Sequence, residues 1–160
     1  MKNRIRWRVK TISVSDAWWH DKHIAEELFS SDAIMLAKDH GVSAMQQITS
    51  GGILATLWEM AEASGVGMTV DLKQMSIRQE TVEICEFYRL NPYQLTSAGS
   101  VLIFTDRGEE LVQKYREMGI WATLLGRTTD DNARIIMSGE EKRFLDKPVA
   151  DELLKIYEND

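Results

Sequence analysis

The segment Thr49-Ser50-Gly51-Gly52 has the composition of a turn that can bind a small anion. Residues 42–49 predict a short strand that runs into this turn, and the apolar residues after it recur at helical spacing. Glycines let the backbone approach a ligand closely, and the first amides of a helix carry unpaired N–H groups and a partial positive charge. A capped helix start whose glycines allow tight packing would have the same pattern. The residues alone leave both interpretations open.

Three other groups have residue types that can do chemistry. His20 and His23 could share a helix face and bind a metal together with Glu27. Asp130-Asp131-Asn132 has acidic side chains that could bind a metal, but turns favour the same residues. Cys85 falls at an apolar helical position and is expected in the core. Because no nucleophile–base pair emerges, we predict no catalytic residue and no metal in this chain.

The charge distribution is uneven, and this limits the classes of partner. The first ten residues hold five Lys or Arg and no acid, which leaves 14 basic against 25 acidic residues in the remainder. An acidic body argues against broad nucleic-acid binding, which requires a basic surface. The single cysteine excludes an internal disulfide, and no apolar stretch approaches the roughly 20 residues of a membrane span. We therefore expect a cytoplasmic protein without membrane contact.

The basic N-terminal segment alternates charged and apolar residues with a period of two, from Arg4 to Lys10. This period predicts a strand with one solvated face. We expect the strand at an edge of the sheet, where its charges would discourage unwanted pairing. An arm that binds an anion or nucleic acid is the alternative. The chain then divides into residues 1–23, a basic and aromatic arm or extra strand, and residues 24–160, the main domain.

From residue 24 onward, helical and strand periods alternate along the chain. Strands are predicted near residues 42–49, 66–72, 101–104, 120–125 and 134–137, with helices between most of them. Asp106 is expected to cap the helix that follows it, and residues 130–132 to form a hairpin turn between the last two strands. Interleaved strands and helices predict an α/β layered domain, with a mixed sheet of about four to five strands packed against helices.

Several motifs occur in an order that resembles one known family. Residues 44–52 and 57–67 resemble the strand–glycine-turn–helix block that opens the C-terminal domain of PurM-like proteins. The matching stretches downstream are Ile77-Arg78-Gln79-Glu80-Thr81, Cys85-Glu86, Asn91-Pro92, residues 97–103, residues 119–129 and Asp151-Glu152-Leu153. The resemblance covers residues 30–157. It is to the C-terminal domain of the AIR synthase-related (PurM/HypE-like) superfamily, whose C-terminal-domain fold it implies.

The resemblance implies an activity, a cofactor and a partner domain. Family members use Mg-ATP to phosphorylate an amide-like oxygen, which then leaves during cyclisation, dehydration or amide exchange. The HypE branch dehydrates a carbamoyl group in hydrogenase maturation. Mg²⁺ and ATP are held chiefly by an N-terminal domain, which also makes the dimer and for which this chain has no room. We thus expect no cofactor in this chain, a missing or separate ATP-binding domain as partner, and a homo-oligomer.

The resemblance also extends the candidate site around the glycine turn. The substrate- or phosphate-facing candidates are Gln46, Gln47, Thr49, Ser50, Gly51, Gly52, Ser97, Gly99 and Ser100. The family's His-Asp pair falls on Gln46 and Gln47, and its glutamate-containing turn falls on residues 97–100. Glutamine and serine can hydrogen-bond, but they cannot titrate near neutrality. The chain also ends without the cysteine that receives the carbamoyl group in HypE-type proteins. We therefore expect no carbamoyl dehydratase activity from this chain alone.

Three hypotheses for function remain. The first is a C-terminal, substrate-facing domain of an ATP-dependent enzyme that activates an amide or carbamoyl oxygen, inactive without its ATP-binding half. The second is a non-catalytic module that binds a small anion at the glycine turn or pairs its exposed sheet with a protein partner. The third is a nucleic-acid accessory with a basic arm.

Overall fold

The computed structural model describes residues 6–10, 31–77, 79–97 and 99–158. Seven strands form one sheet in the order β2-β4-β1-β5-β3-β6-β7. The strands are β1 (Arg6–Lys10), β2 (Val42–Gln47), β3 (Gly67–Asp71), β4 (Val101–Thr105), β5 (Thr123–Thr129), β6 (Arg134–Ser138) and β7 (Glu141–Phe144). The helices are α1 (Ser31–Lys38), α2 (Gly52–Ser64), α3 (Gln79–Tyr88), α4 (Gly108–Glu117) and α5 (Leu154–Glu158), and 3₁₀ turns occupy Leu72–Gln74 and Pro92–Gln94.

Each face of the sheet has its own apolar core. On one face, Leu54, Leu57 and Met60 of α2 belong to a buried cluster with sheet residues such as Leu102 and Phe104. On the other face, side chains of α1 and α4 cluster with the sheet; the buried members are Ala37, Ile103, Leu111, Val112, Tyr115 and Ala122. Neighbouring residues of β4 therefore face different cores, which is why this strand reads as one continuous apolar run. Among the described helices, none has the length and apolar character needed to cross a bilayer.

The predicted α/β layered domain with a mixed sheet is confirmed, but the number of strands is larger than expected. β3 pairs in parallel with β6, whereas the other neighbours pair antiparallel. The described sheet has seven strands rather than about four to five. β7 escaped prediction because all four of its residues, Glu141–Phe144, are exposed. A strand with no buried residue shows no alternation of apolar and polar positions.

The expectation that the basic N-terminal strand lies at an edge is wrong. β1 pairs antiparallel with β4 on one side and with β5 on the other, so it is an interior strand. A period of two in the sequence indicates that the two faces of a strand differ in polarity. It carries no information about whether backbone partners lie on one side or both. The other residues of the 1–23 segment, including His20 and His23, lie outside the described residues, as does Glu27.

The turn between β5 and β6 is a crossover and not the expected hairpin. β3 lies between these two strands, so residues 130–133 pass over the start of β3 at Gly67. The Asp131 carboxylate accepts hydrogen bonds from Thr129 Oγ1 at 2.8 Å and from Ala133 N–H at 2.9 Å. A Cβ atom on Gly67 would collide with Asp131 and Thr129. The hydrogen bonds of Asp131 therefore hold the segment that crosses over β3. The residue below this segment, Gly67, must be glycine because a side chain would not fit.

The predicted cap of α4 is also wrong. The residue at the N-cap position is Arg107, whose side chain makes no capping hydrogen bond, and Asp106 lies one position earlier. Thr105 makes the local contact instead, because its Oγ1 accepts a hydrogen bond from Arg107 N–H at 3.1 Å. The same hydroxyl donates to His40 O at 2.9 Å. Thr105 thereby connects the start of α4 to the turn before β2.

Residues 145–153 form a C-terminal strap that passes from β7 to the amino end of α2. Gly51 N–H donates to Asp151 Oδ2 at 3.0 Å, and Leu153 N–H donates to Asp151 Oδ1 at 3.0 Å. Asp151 is buried. A buried carboxylate that accepts backbone N–H groups at a helix amino end is stabilised by charge-assisted bonds and by the helix dipole. The strap is therefore fastened at the glycine turn.

A second carboxylate fastens the strap to the turn at Asn91. Asn91 N–H donates to Glu152 Oε2 at 3.2 Å, and Glu152 N–H donates to Gln94 O at 3.2 Å. Lys155 Nζ lies 2.6 Å from Glu152 Oε1 and balances its charge. Burial raises the pKa of the Cys85 thiol, and the negative charge of Glu152 raises it further. Cys85 is buried, as the sequence predicts, and its environment disfavours the reactive thiolate.

Removing the Asp151 carboxylate should destabilise the fold. Asp151→Ala leaves the Gly51 and Leu153 amides without their acceptor, so we expect the free energy of unfolding to fall by about 2 kcal/mol. The measurement is urea unfolding followed by tryptophan fluorescence. Asp146→Ala is the matched control, because Asp146 is exposed on the same strap. Equal unfolding midpoints for the two variants would contradict the role assigned to Asp151.

Candidate functional site

The glycine turn lies between β2 and α2 and is packed against other parts of the chain. Gly51 has φ 80° and Gly52 has φ 68°, so both adopt the left-handed conformation that favours glycine. A Cβ on Gly51 would lie 3.0 Å from Val149 O in the strap. A Cβ on Gly52 would lie 2.8 Å from Gln94 Cα. The two glycines are therefore required by the close approach of the protein's own backbone.

The amino end of α2 already holds one negative group. The Gly51 amide, at the N-cap of α2, is bonded to the Asp151 carboxylate, and Gly52 N–H donates to Thr49 O at 3.0 Å. Thr49 and Ser50 are exposed, whereas both glycines are buried. An external ligand at this turn would meet the two hydroxyls first. It would share the helix end with a carboxylate.

The structure brings the two predicted turns together at one end of the sheet. Gln47 at the end of β2 pairs with Val101 at the start of β4, and Ile48 N–H donates to Ser100 O at 2.9 Å. Ser97 Oγ and Ser100 Oγ are hydrogen-bonded at 2.7 Å. Ser100 is completely buried and Gly99 is buried, while Ser97 is half-buried. Ser97, Gly99 and Ser100 thus place two hydroxyls beside the glycine turn, and we call this region the Ser97–Ser100 turn.

The two glutamines do not face the same space. Gln46 and Gln47 are consecutive residues of β2, so their side chains point to opposite faces of the sheet. Gln46 Nε2 donates to Glu59 Oε2 at 2.8 Å, which ties this amide to α2. Gln47 is exposed. A single small ligand could contact one of these amides but not both.

The candidate site can hydrogen-bond but has little capacity for acid–base or metal chemistry. Its side chains are the hydroxyls of Thr49, Ser50, Ser97 and Ser100 and the two glutamine amides. Two carboxylates contact these groups: Asp151 is buried and bonded to two backbone amides, and Glu59 on α2 accepts the hydrogen bond from Gln46. Mg²⁺ prefers carboxylate oxygens and keeps several waters, so these residues do not fit a Mg-ATP site. In the described part of the chain, no three His, Cys, Asp or Glu side chains form a group suited to a metal.

Sequence reasoning missed Asp151 as a residue of the turn. It lies 100 residues after Gly51, the residue whose amide it binds. Asp151-Glu152 appeared only as the end of the family resemblance. One signal in the sequence could have indicated this role. Asp151 and Glu152 directly precede an apolar segment, and carboxylates that are buried in such a stretch need hydrogen-bond or ion-pair partners.

Comparison with known proteins identifies the family. The model of the AIR synthase related protein C-terminal domain matches residues 20–138. HypE of Rhodobacter capsulatus, a carbamoyl dehydratase, is 27% identical over 131 residues, which are 78% of this chain and 38% of that protein. Subunit PurL of phosphoribosylformylglycinamidine synthase from Caldanaerobacter subterraneus subsp. tengcongensis is 32% identical over 120 residues, which are 71% of this chain and 14% of that protein.

A solved structure has the same fold. The crystal structure of HypE from E. coli, a hydrogenase maturation protein, superposes with a TM-score of 0.74 at 23% identity. The superposition covers 98% of this chain and 53% of that chain. This chain therefore spans about half of the solved HypE structure and smaller fractions of the HypE and PurL relatives. The match over residues 20–138 shows that the chain belongs to the AIR synthase related protein family, in the region of its C-terminal domain.

Proposed function

We propose that this chain is the substrate-facing C-terminal domain of an ATP-dependent enzyme that activates an amide or carbamoyl oxygen, and that it is inactive alone. The observation that carries the proposal is the meeting of the glycine turn and the Ser97–Ser100 turn at one end of the sheet. Exposed hydroxyls at Thr49 and Ser50 can bind polar substrate atoms without supplying a base. The family membership and the relatives named HypE and PurL support this kind of enzyme.

The residues of the site support different roles for two domains, with substrate binding in this one and Mg-ATP binding in the other. Hydroxyl and amide groups can position an oxygen or a phosphate, whereas Mg-ATP needs carboxylates that this site does not offer. A separate ATP-binding domain would supply them, and the chemistry would then take place between the two. A non-catalytic anion-binding or assembly module is the second candidate, favoured by the absence of a titratable side chain among Gln46, Gln47, Thr49, Ser50, Ser97 and Ser100.

Phosphate should bind weakly at the end of the sheet where the two turns meet. In a nuclear magnetic resonance titration of the labelled chain with inorganic phosphate, we expect shifts of amides in residues 49–54 and 97–100. Ser50→Ala removes an exposed hydroxyl and should weaken binding by about threefold to tenfold. Ser43→Ala is the control, since Ser43 is exposed near the other end of β2. Shifts scattered over the surface, or equal effects of the two variants, would refute this assignment of the site.

The isolated chain should not bind Mg-ATP as a complete family enzyme would. Calorimetric titration should show no saturable, magnesium-dependent heat, because the site lacks free carboxylates for the metal. Full-length HypE from Rhodobacter capsulatus, titrated in parallel, controls for the quality of the nucleotide and the buffer. A magnesium-dependent site with a micromolar Kd in this chain would show that the nucleotide half is not needed.

We also propose that the chain forms a homo-oligomer through an apolar face of α3. Ile84, Phe87 and Tyr88 lie on one side of this helix and are exposed, Phe87 by 80%. The rings of Phe87 and Tyr88 pack edge to face with centroids 4.9 Å apart, which gives a preformed apolar surface. Such clusters mark interaction sites more often than single exposed residues do.

Sedimentation velocity over a range of concentrations tests the oligomer. We expect a dimer or larger species for the parent chain and a monomer for Phe87→Glu, because a charge at this position would be buried in the interface. Met35→Glu is the control, since Met35 is an exposed apolar residue on α1. A parent chain that stays monomeric at high concentration would overturn the proposal.

A further inference from the structure

A second concave surface opens at the same end of the sheet, on the other side of β1. It lies between the 3₁₀ turn after β3 and the segment that leads from α4 into β5, and its volume is about 550 Å³. Small-molecule sites commonly have volumes of about 300–1,000 Å³. Lys73, Met75 and Ser76 line one wall, and Arg116, Trp121 and Thr123 line the other. We call this surface the Trp121 groove.

The charge of the Trp121 groove is opposite to that of the protein. The chain has a net charge of −6, yet among the described lining residues the charged ones are Lys73 and Arg116. The carboxylate of Asp71, which directly precedes the 3₁₀ turn, binds groups of that turn. It accepts hydrogen bonds from Lys73 N–H at 2.9 Å and from Gln74 Nε2 at 3.4 Å. Within the part of the chain that the structure describes, neither Lys73 nor Arg116 forms an ion pair.

Trp121 offers an open aromatic face to the groove. Its side chain is 61% exposed, and it has no ring or cation contact among the described residues. The ring of Trp58, in contrast, is covered by a cation. The Arg134 guanidinium lies over it, 4.7 Å from the ring centroid. An exposed indole is a surface on which a planar ring can stack, and such stacking contributes about 1–3 kcal/mol per ring in nucleic-acid complexes.

We propose that the Trp121 groove binds a phosphate ester that carries a planar ring. The Arg116 guanidinium supplies one positive charge to the phosphate, whose monoester carries about −1.5 to −2 near neutral pH. The long Lys73 side chain, whose ammonium lies beside Gly139 in the turn between β6 and β7, turns into the groove to supply a second. Trp121 stacks on the ring, while the Ser76 and Thr123 hydroxyls offer hydrogen bonds to polar groups around it. None of these residues belongs to the glycine turn or to the Ser97–Ser100 turn. The proposal therefore stands independently of the function proposed above.

The experiment is a nuclear magnetic resonance titration of the full chain, without magnesium, using AMP, adenosine and inorganic phosphate as probes. We expect AMP to bind with a Kd below about 1 mM and to shift amides of residues 73–76 and 116–123. Adenosine and phosphate should each bind at least about tenfold more weakly, because each makes only half of the contacts. Raising the salt concentration should weaken AMP binding, since exposed charges are screened.

Four variants separate the contacts to the phosphate from the contacts to the ring. Lys73→Met and Arg116→Met should each weaken AMP about fivefold or more, and Trp121→Ala should reduce AMP binding to the level of phosphate alone. Trp121→Phe keeps a ring and should retain most of the affinity. Lys38→Met is the matched control, because Lys38 is exposed on α1 and is not part of the groove.

The proposal is overturned if AMP shifts no amide of the groove, or if it binds no better than adenosine. Unchanged AMP affinity in Lys73→Met and Arg116→Met would overturn it as well. Phosphate shifts at residues 49–54 and 97–100 report on the glycine turn and not on the groove. The same spectra therefore show separately whether each of the two proposals holds.

Discussion

The hydrogen bond between Gly51 N–H and the Asp151 carboxylate determines how the candidate site is built. It joins the amino end of α2 to a strap from the other end of the chain, at a buried position where the helix dipole favours a negative group. The backbone of the strap and that of the turn at residues 91–94 both come close to the glycines, and side chains larger than hydrogen would not fit there. As a result, the part of the turn open to a ligand is the pair of hydroxyls at Thr49 and Ser50.

Close backbone approach also decides the order of strands on the other side of the sheet. A Cβ on Gly126 would lie 2.9 Å from Val70 Cα, so β5 and β3 can approach at this point only with glycine. Gly67 has the same role where residues 130–133 pass over the start of β3. These two glycines allow β3 to lie between β5 and β6, which are neighbours in sequence. The sheet is therefore mixed at β3, which pairs parallel on one side and antiparallel on the other.

The sequence predicts local elements well and their neighbours poorly, for a physical reason. The α2 helix, β3 and β4 have strong apolar periods, because their buried faces contact the two cores. The interior position of β1 and the crossover between β5 and β6 depend on partners that are distant along the chain, which a local period does not record. The glycine turn was predicted from its residues and from the family resemblance. The carboxylate that binds it was not, because the partner lies 100 residues away.

The end of the sheet that carries the candidate site also carries the Trp121 groove. Gln47 and Lys10 both pair with Val101, and Val9 pairs with Thr123, so β2 and β1 end where β4 and β5 begin. On one side of β1 this end presents uncharged hydroxyls beside a buried carboxylate, and on the other side it presents a groove lined by Lys73, Arg116 and the Trp121 indole. In a protein with net charge −6, the described lining of the groove carries Lys73 and Arg116 and no acidic residue, which favours anions there. Among the described strands, the end of β1 lies between the two regions, and the helices beside them, α2 and α4, pack on opposite faces of the sheet. The two regions therefore share one end of the sheet but serve separate ligands.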